Sequence, residues 1–272
     1  MSDKTEEYET EKWKAELRGE YESRGEMIDL ASMFYWWPKI KDLKIPQPRT
    51  VMVPFTEREY TALWNEEGFP TSVPKRILKA VQQHGFTYPL FLRTDQTSAK
   101  HYWNRTCYIT KEAHINSKDR KENHLLELFE FNNCAGVFGL PFIGVAIREL
   151  IRLQVGFTAF YGKLPIGAER RYFISDGAVV CHHPYWIEAA IQKPSIKNWK
   201  RVLADLNEEH YTEVALLTEY AWEIAQQFEG NWSVDFCRGT DGKWWLIDMA
   251  TAHNSWHPDC EHKGAFEKED EK

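Results

Sequence analysis

No run of about 20 apolar residues occurs in the sequence, so no segment is expected to span a membrane. The first residues, Ser2, Asp3 and Lys4, turn acidic at once and lead into no apolar core, so a secretory signal is not expected there. Cysteine is scarce and unpatterned. Five residues (Cys107, Cys134, Cys181, Cys237 and Cys260) are odd in number and never form C-x-x-C. That spacing argues against a disulfide framework and a zinc knuckle, and favours a reducing, cytoplasmic setting. A basic excess is also missing: 34 Lys and Arg stand against 41 Asp and Glu, a formal charge of -7. Bulk charge therefore does not favour a nucleic-acid partner. The phosphate-binding G-x-G-x-x-G and G-x-x-x-x-G-K-[ST] motifs are absent, as are the G-x-S-x-G nucleophile turn and H-E-x-x-H. His253 and His257 are followed at once by Pro258, and no zinc site is expected there. No internal repeat occurs.

What remains is ample for a core. The chain has 272 residues, 43% of them apolar, with 12 Trp, 12 Tyr and 15 Phe. Residues 1–30 read as a charged helical lead interrupted by Gly19 and Gly25, either a surface arm or a weakly packed helix. Residues 34–37 (FYWW) read as irregular packed chain before a short strand at Val51–Val53. Helices are expected at 57–66, 74–84, 119–130 and 208–229, the last capped by Asn207 and ended by Gly230. Strands are expected at 90–93, 106–109, 143–153, 157–162, 170–174, 178–183, 232–237 and 243–249, with 94–104 a loop. Helices and antiparallel strands interleave without a βαβ rhythm, which gives an α+β class.

The two Asp-Gly dipeptides, Asp176-Gly177 and Asp241-Gly242, mark hairpins. In the second, a two-residue turn pairs Thr240 with Lys243 and brings Asp235 opposite Asp248, with Cβ atoms about 5 Å apart. Val234, Phe236, Ile247 and Met249 then form the core face. Two facing carboxylates call for a counter-charge, and a magnesium ion is one candidate; an exposed, solvated face is the other reading. In the first hairpin Arg171 falls opposite His182, with Glu169 on the same face and His183 on the other. That patch suits an anion, and equally suits pairing with another strand. Arg93 and Lys100, with Thr94, Thr97 and Ser98 between them, form a phosphate-binding loop or a plain surface loop.

Four segments in order, PLFLRTDQTSAKHYW, AIRELI, GAERRYFISDGAVVCHHPYW and WSVDFCRGTDGKWWLIDMATA, together resemble the ATP-grasp family. The resemblance is closest to the branch typified by the eukaryotic cell-division-cycle 123 protein. It implies two α+β subdomains enclosing a nucleotide cleft over residues 88–258, an N-terminal arm and accessory domain at 1–87, and a charged tail at 259–272. It also implies ATP and Mg2+ as cofactors. Arg93 would take the place of the first nucleotide-binding lysine, over the α-phosphate. Lys100 would sit in a mobile loop over the β- and γ-phosphates. Glu149 and Ile151 would read the adenine edge and ribose, Arg171 would contact the γ-phosphate or an acylphosphate, and Asp235 and Asp248 would hold magnesium. Two positions depart from the family pattern. Arg93 stands for lysine, and Ala250 stands where many members carry an asparagine ligand, with Asn254 four residues further on. The function implied is an ATP- and magnesium-dependent ligase joining an acid to an amine through an acylphosphate. An ATP-binding assembly module with a protein partner, or a phosphotransferase, could use the same residues.

Overall fold

The computed structural model describes residues 30–64, 69–134, 142–258, 260–262, 264 and 266. The helical lead expected over residues 1–30 lies outside them but for its last residue. The chain divides into two compact units.

Of the described residues, the first unit takes in those of 50–99 and 104–149, with 30–34. Apolar residues two apart build its sheet, because side chains on a strand alternate between faces. The strands are β1 (Thr50–Pro54), β2 (Leu90–Thr94), β3 (Tyr108–Ile109) and β4 (Gly144–Glu149), ordered β1-β4-β2-β3 and all antiparallel. Val53, Leu90, Leu92, Val145 and Ile147 share a core with Val73, Ile77 and Val81 of one helix and Leu125, Leu128 and Phe129 of another. In chain order the helices are α1 (Met33–Ile40), most of which belongs to the second unit, and then α2 (Glu57–Trp64), α3 (Ser72–Gln83), α4 (Ala113–Asn116) and α5 (His124–Cys134) of the first. Residues 50–83 thus pack into the same core as residues 88–149, and the expected line at residue 88 runs through one packed unit. Residues 34–37 are helical rather than irregular, in α1, with Pro38 inside it.

The second unit takes in residues 35–49, 100–103 and 150–272. Its ribbon of β5 (Val155–Ala159) and β6 (Leu164–Gly167) packs with Trp186 and Leu203. Its main sheet has β7 (Glu169–Ser175), β8 (Ala178–Pro184), β9 (Asn231–Arg238) and β10 (Trp244–Thr251) in the order β10-β9-β7-β8. The helix expected over 208–229 is α7 (Tyr211–Ala225), and a second helix that was not expected, α6 (Trp199–Asn207), stands before it, separated by a break at 208–210. Arg170 explains the break: its Nη1 donates to Leu206 O at 3.1 Å and its Nη2 to Glu208 O at 2.7 Å. These bonds satisfy carbonyls that the end of α6 leaves open. Asn207 is therefore no N-cap of α7; its Nδ2 donates to Trp186 O, and His210 stands at the N-cap position without a side-chain capping bond. The tail is not frayed throughout, since Phe266 is buried against Phe173 and His257.

Candidate active site

Three neighbouring strands of the second unit set out a row of charge. Arg171 on β7 pairs with Asp235 on β9, and Asp235 pairs with Asp248 on β10. The Asp235–Asp248 pairing was expected, but not by the route that produces it. The turn is wider than two residues: Gly239 N bonds Lys243 O, and Trp244 pairs with Arg238, one place out of phase. An irregularity between Leu246 and Asp248 then restores the phase. Ile247 is the extra residue and is only partly buried, so it does not belong to the core face with Val234, Phe236 and Met249. The β7–β8 hairpin has a similar slip between Phe173 and Ile174. Arg171 therefore lies opposite His183 and not His182, which pairs with Tyr172 and bonds Glu209.

Arg171 grips Asp235 with both arms of its fork, Nε to Oδ1 and Nη2 to Oδ2, each at 2.7 Å. Its Nη1 donates to Trp256 O at 3.3 Å. Burial alone would lower the hold of Arg171 on its proton. Asp235 outweighs that and raises it above the ordinary arginine value. The counter-charge required by the facing carboxylates thus comes, at least in part, from Arg171.

Two residues back along β7, Glu169 faces the same way. It is 4% exposed, and its Oε2 has no hydrogen-bond partner among the described residues. Lys100 Nζ lies 4.0 Å from that oxygen, 4.2 Å from the centroid of the Tyr185 ring and 5.1 Å from that of Trp186. Burial lowers the Lys100 ammonium, but Tyr185 and Glu169 more than reverse it, so it stays charged. Burial raises the Glu169 carboxyl, against the pull of Lys100. Lys100 opens a 3-10 turn, Lys100–Arg105, where a loop was expected. Gly162 fixes that turn: its N–H donates to His101 O at 3.0 Å, and a Cβ there would lie 2.1 Å from Trp103 N.

Lys100, Arg171, Asp235 and Asp248 thus belong to one unit, as does Ile151, while Arg93 and Glu149 belong to the other. Arg93 is buried, with Nε on Thr94 O and Nη2 on Gln96 O. Glu149 ends β4 opposite Leu90. Sequence reasoning missed the aromatic box of Tyr185 and Trp186. Its signal was two aromatic residues directly after the strand that pairs with β7. It also missed Asp95, whose carboxylate accepts from Ser32 Oγ at 2.6 Å and from the N–H groups of Ile143 and Gly144 at 2.9 and 3.2 Å. Burial pushes its carboxyl up to about 6.

A family model for an ATP-grasp domain, the third family of its clade, matches residues 82–269, more than half of the chain. The chain belongs to the ATP-grasp family. No curated protein sequence matches this ATP-grasp chain. Solved structures do, at low identity. N5-carboxyaminoimidazole synthase from Aspergillus clavatus, in complex with ADP and 5-aminoimidazole ribonucleotide, is 13% identical over 84% of this chain and 46% of its own, with a TM-score of 0.44. The RimK-domain ATP-grasp protein from Sphaerobacter thermophilus is 12% identical over 82% of this chain and 58% of its own, with a TM-score of 0.41. Cdc123 from Schizosaccharomyces pombe is 12% identical over 82% of this chain and 83% of its own, with a TM-score of 0.46. The chain spans about half the length of the first two of these.

The residues of the row fit the group that an ATP-grasp fold implies. Magnesium takes oxygen donors and is held by one or two carboxylates plus phosphates. Asp248, Asp235 and Glu169 offer carboxylate oxygens, one of them buried without a hydrogen bond. Arg171 and Lys100 stand beside these carboxylates as cations, the kind of side chain that suits phosphate oxygens. Among the described residues, no helix is long and apolar enough to cross a membrane.

Proposed function

We propose that the chain is an ATP- and magnesium-dependent ligase that joins a carboxylic acid to an amine through an acylphosphate. The observation that carries the reading is the bidentate Arg171–Asp235 pair with Asp248 beside it, in a chain of the ATP-grasp family. Four cysteines among the described residues form no disulfide with one another, which suits a reducing cytoplasm.

Magnesium, when bound, would neutralise phosphate charge. Asp248, and the lone pairs of Asp235 that Arg171 leaves open, would hold it. Because Asp235 already binds Arg171, the guanidinium is fixed beside the metal ligands before substrate arrives. Such a preorganised cation favours the charge that spreads over a transferring phosphoryl group. Lys100, boxed by Tyr185 and Trp186, would hold phosphate oxygens, with Glu169 keeping it charged and aimed. Arg93 over the α-phosphate, and Glu149 and Ile151 at the adenine edge and ribose, keep the roles that the family resemblance implies. Arg93 would have to share donors now engaged by Thr94 O and Gln96 O.

Calorimetric titration with ATP, with and without magnesium, is the test. Binding should require magnesium, and Asp248→Asn should weaken it at least tenfold. A panel of carboxylic acids and amines should then contain a pair on which ADP release depends. Binding indifferent to magnesium and to Asp248→Asn would sink the reading. Transfer of the γ-phosphate to a hydroxyl would replace it with a phosphotransferase, and tight binding without turnover with a nucleotide-dependent interaction module.

A further inference from the structure

The β8 strand carries Cys181 and His183 two residues apart, and the chain returns 74 residues later with His257 and Cys260. Their ligand atoms, two sulfurs and two imidazole nitrogens, all lie within 4.8 Å of one another. His257 Nε2 is 3.2 Å from Cys181 Sγ and 3.8 Å from Cys260 Sγ. We propose that these four residues bind one zinc ion in a closed, tetrahedral structural site that ties the C-terminal segment to the β7–β8 hairpin.

Hydrogen bonding alone does not satisfy the cluster. His257 Nδ1 lies 2.6 Å from Pro258 O, and a carbonyl only accepts, so Nδ1 carries the proton. In the neutral ring Nε2 then presents its single lone pair to two sulfurs at once. Both thiols lie near that one acceptor, the two sulfurs also interact with each other, and the buried His183 Nε2 has no hydrogen-bond partner among the described residues. A metal ion takes all four. The Nδ1–H to carbonyl bond is also the outer contact that sets the tautomer of a metal-bound histidine. His262 N donates to Cys260 Sγ at 3.4 Å, a contact that favours a thiolate.

The chemistry selects zinc. Thiolate and imidazole donors suit it, whereas magnesium and calcium require oxygen. Two thiolates and two neutral imidazoles balance its charge. Bonds of about 2.3 Å to sulfur and about 2.1 Å to nitrogen put ligand atoms about 3.4–3.8 Å apart across a tetrahedron. The observed separations bracket that range, so small rotamer shifts close the site. Phe173 and Phe266 pack tilted against His257, with ring centroids at 4.3 and 5.3 Å, and bury that imidazole. The consequence reaches Arg171, because the residue before His257 is Trp256, whose carbonyl accepts from Arg171 Nη1. Zinc would thus hold one contact of the guanidinium in position, and the site stands whether or not the ligase reading does.

Metal analysis of the untagged full-length chain, dialysed under reducing conditions, tests the proposal. The chain should retain about one zinc. Cys181→Ser and Cys260→Ser should each retain less than a tenth of it, and His253→Ala, outside the cluster, all of it. Should either serine variant fail to fold, reconstitution of the unaltered chain with cobalt decides. Thiolate-to-cobalt charge-transfer absorption, with the intense visible bands of a tetrahedral ion, supports the site. Zinc undiminished in both folded serine variants, no stoichiometric metal together with no such absorption, another metal at stoichiometry, or a Cys181–Cys260 disulfide in the purified chain would each overturn it.

Discussion

Asp248 stands at the half-buried end of a charged row, next to an Asp235 already committed to Arg171. Asp248→Asn should therefore cost magnesium-dependent ATP affinity while moving unfolding free energy by less than about 0.5 kcal/mol, the usual range for a substitution at accessible surface. Calorimetry and thermal melts on the same preparation check both halves. Lys100 carries a second burden as the cation nearest buried Glu169. Lys100→Ala should lower stability by about 1–2 kcal/mol. That is less than a fully buried pair costs, because the lysine side chain is 26% exposed and solvent screens the contact. Adding Glu169→Gln should recover the stability without the turnover; recovery of both would remove Lys100 from the chemistry. Asp95 gives a pH signature in the first unit. Its carboxyl sits at about 6 when folded against 3.8 in the reference state, so the folded chain holds the proton more tightly. Its contribution to stability is complete below 3.8 and is lost as pH rises through about 6. Asp95→Asn should erase that slope, as melting temperatures across this range would reveal.

At the scale of elements, the turn under Lys100 depends on one missing side chain. Gly162→Ala would press a Cβ into the backbone of Tyr102 and Trp103. Overpacking of this kind costs about 1–3 kcal/mol. We expect a lower melting temperature together with lower turnover, and an unchanged turnover would separate the turn from catalysis. The elements that the sequence revealed best are those written in alternating or helical period: β2, β7, β9, β10 and α3. Asp235 and Asp248 were legible as a pair because the Asp-Gly turn marks the hairpin. The compensating irregularity at Ile247 was not, since a bulge leaves no change of composition. The slip that put His183 opposite Arg171 escaped for the same reason. The helix α6 did carry a signal in Trp199, Val202, Leu203 and Leu206, an apolar face at helical spacing that was overlooked. The cluster of Cys181, His183, His257 and Cys260 was beyond sequence reasoning, because its two halves are far apart in the chain and meet only through the fold.

For the molecule as a whole, ligand linkage supplies a check that needs no substitution. ATP with magnesium at about 100 times its dissociation constant should stabilise the folded chain by about 2.7 kcal/mol. For a chain of this size that is a rise in melting temperature of about 5–10 °C, absent when either component is left out. The discontinuous second unit has an effect of a different kind, on the order in which the chain acquires structure. Residues 35–49 belong with residues 150–272, not with the sheet that follows them directly. Leu246 N bonds Pro46 O at 2.8 Å, and Tyr35 stacks on Trp232 at 5.8 Å. On the ribosome the early segment therefore emerges about 200 residues ahead of its partner strand. At about 5–20 residues per second it waits for about 10–40 s. The apolar rings of Trp36 and Trp37, buried in the finished fold, stay uncovered for that interval. This is the stretch of the nascent chain where a holding chaperone would find its foothold.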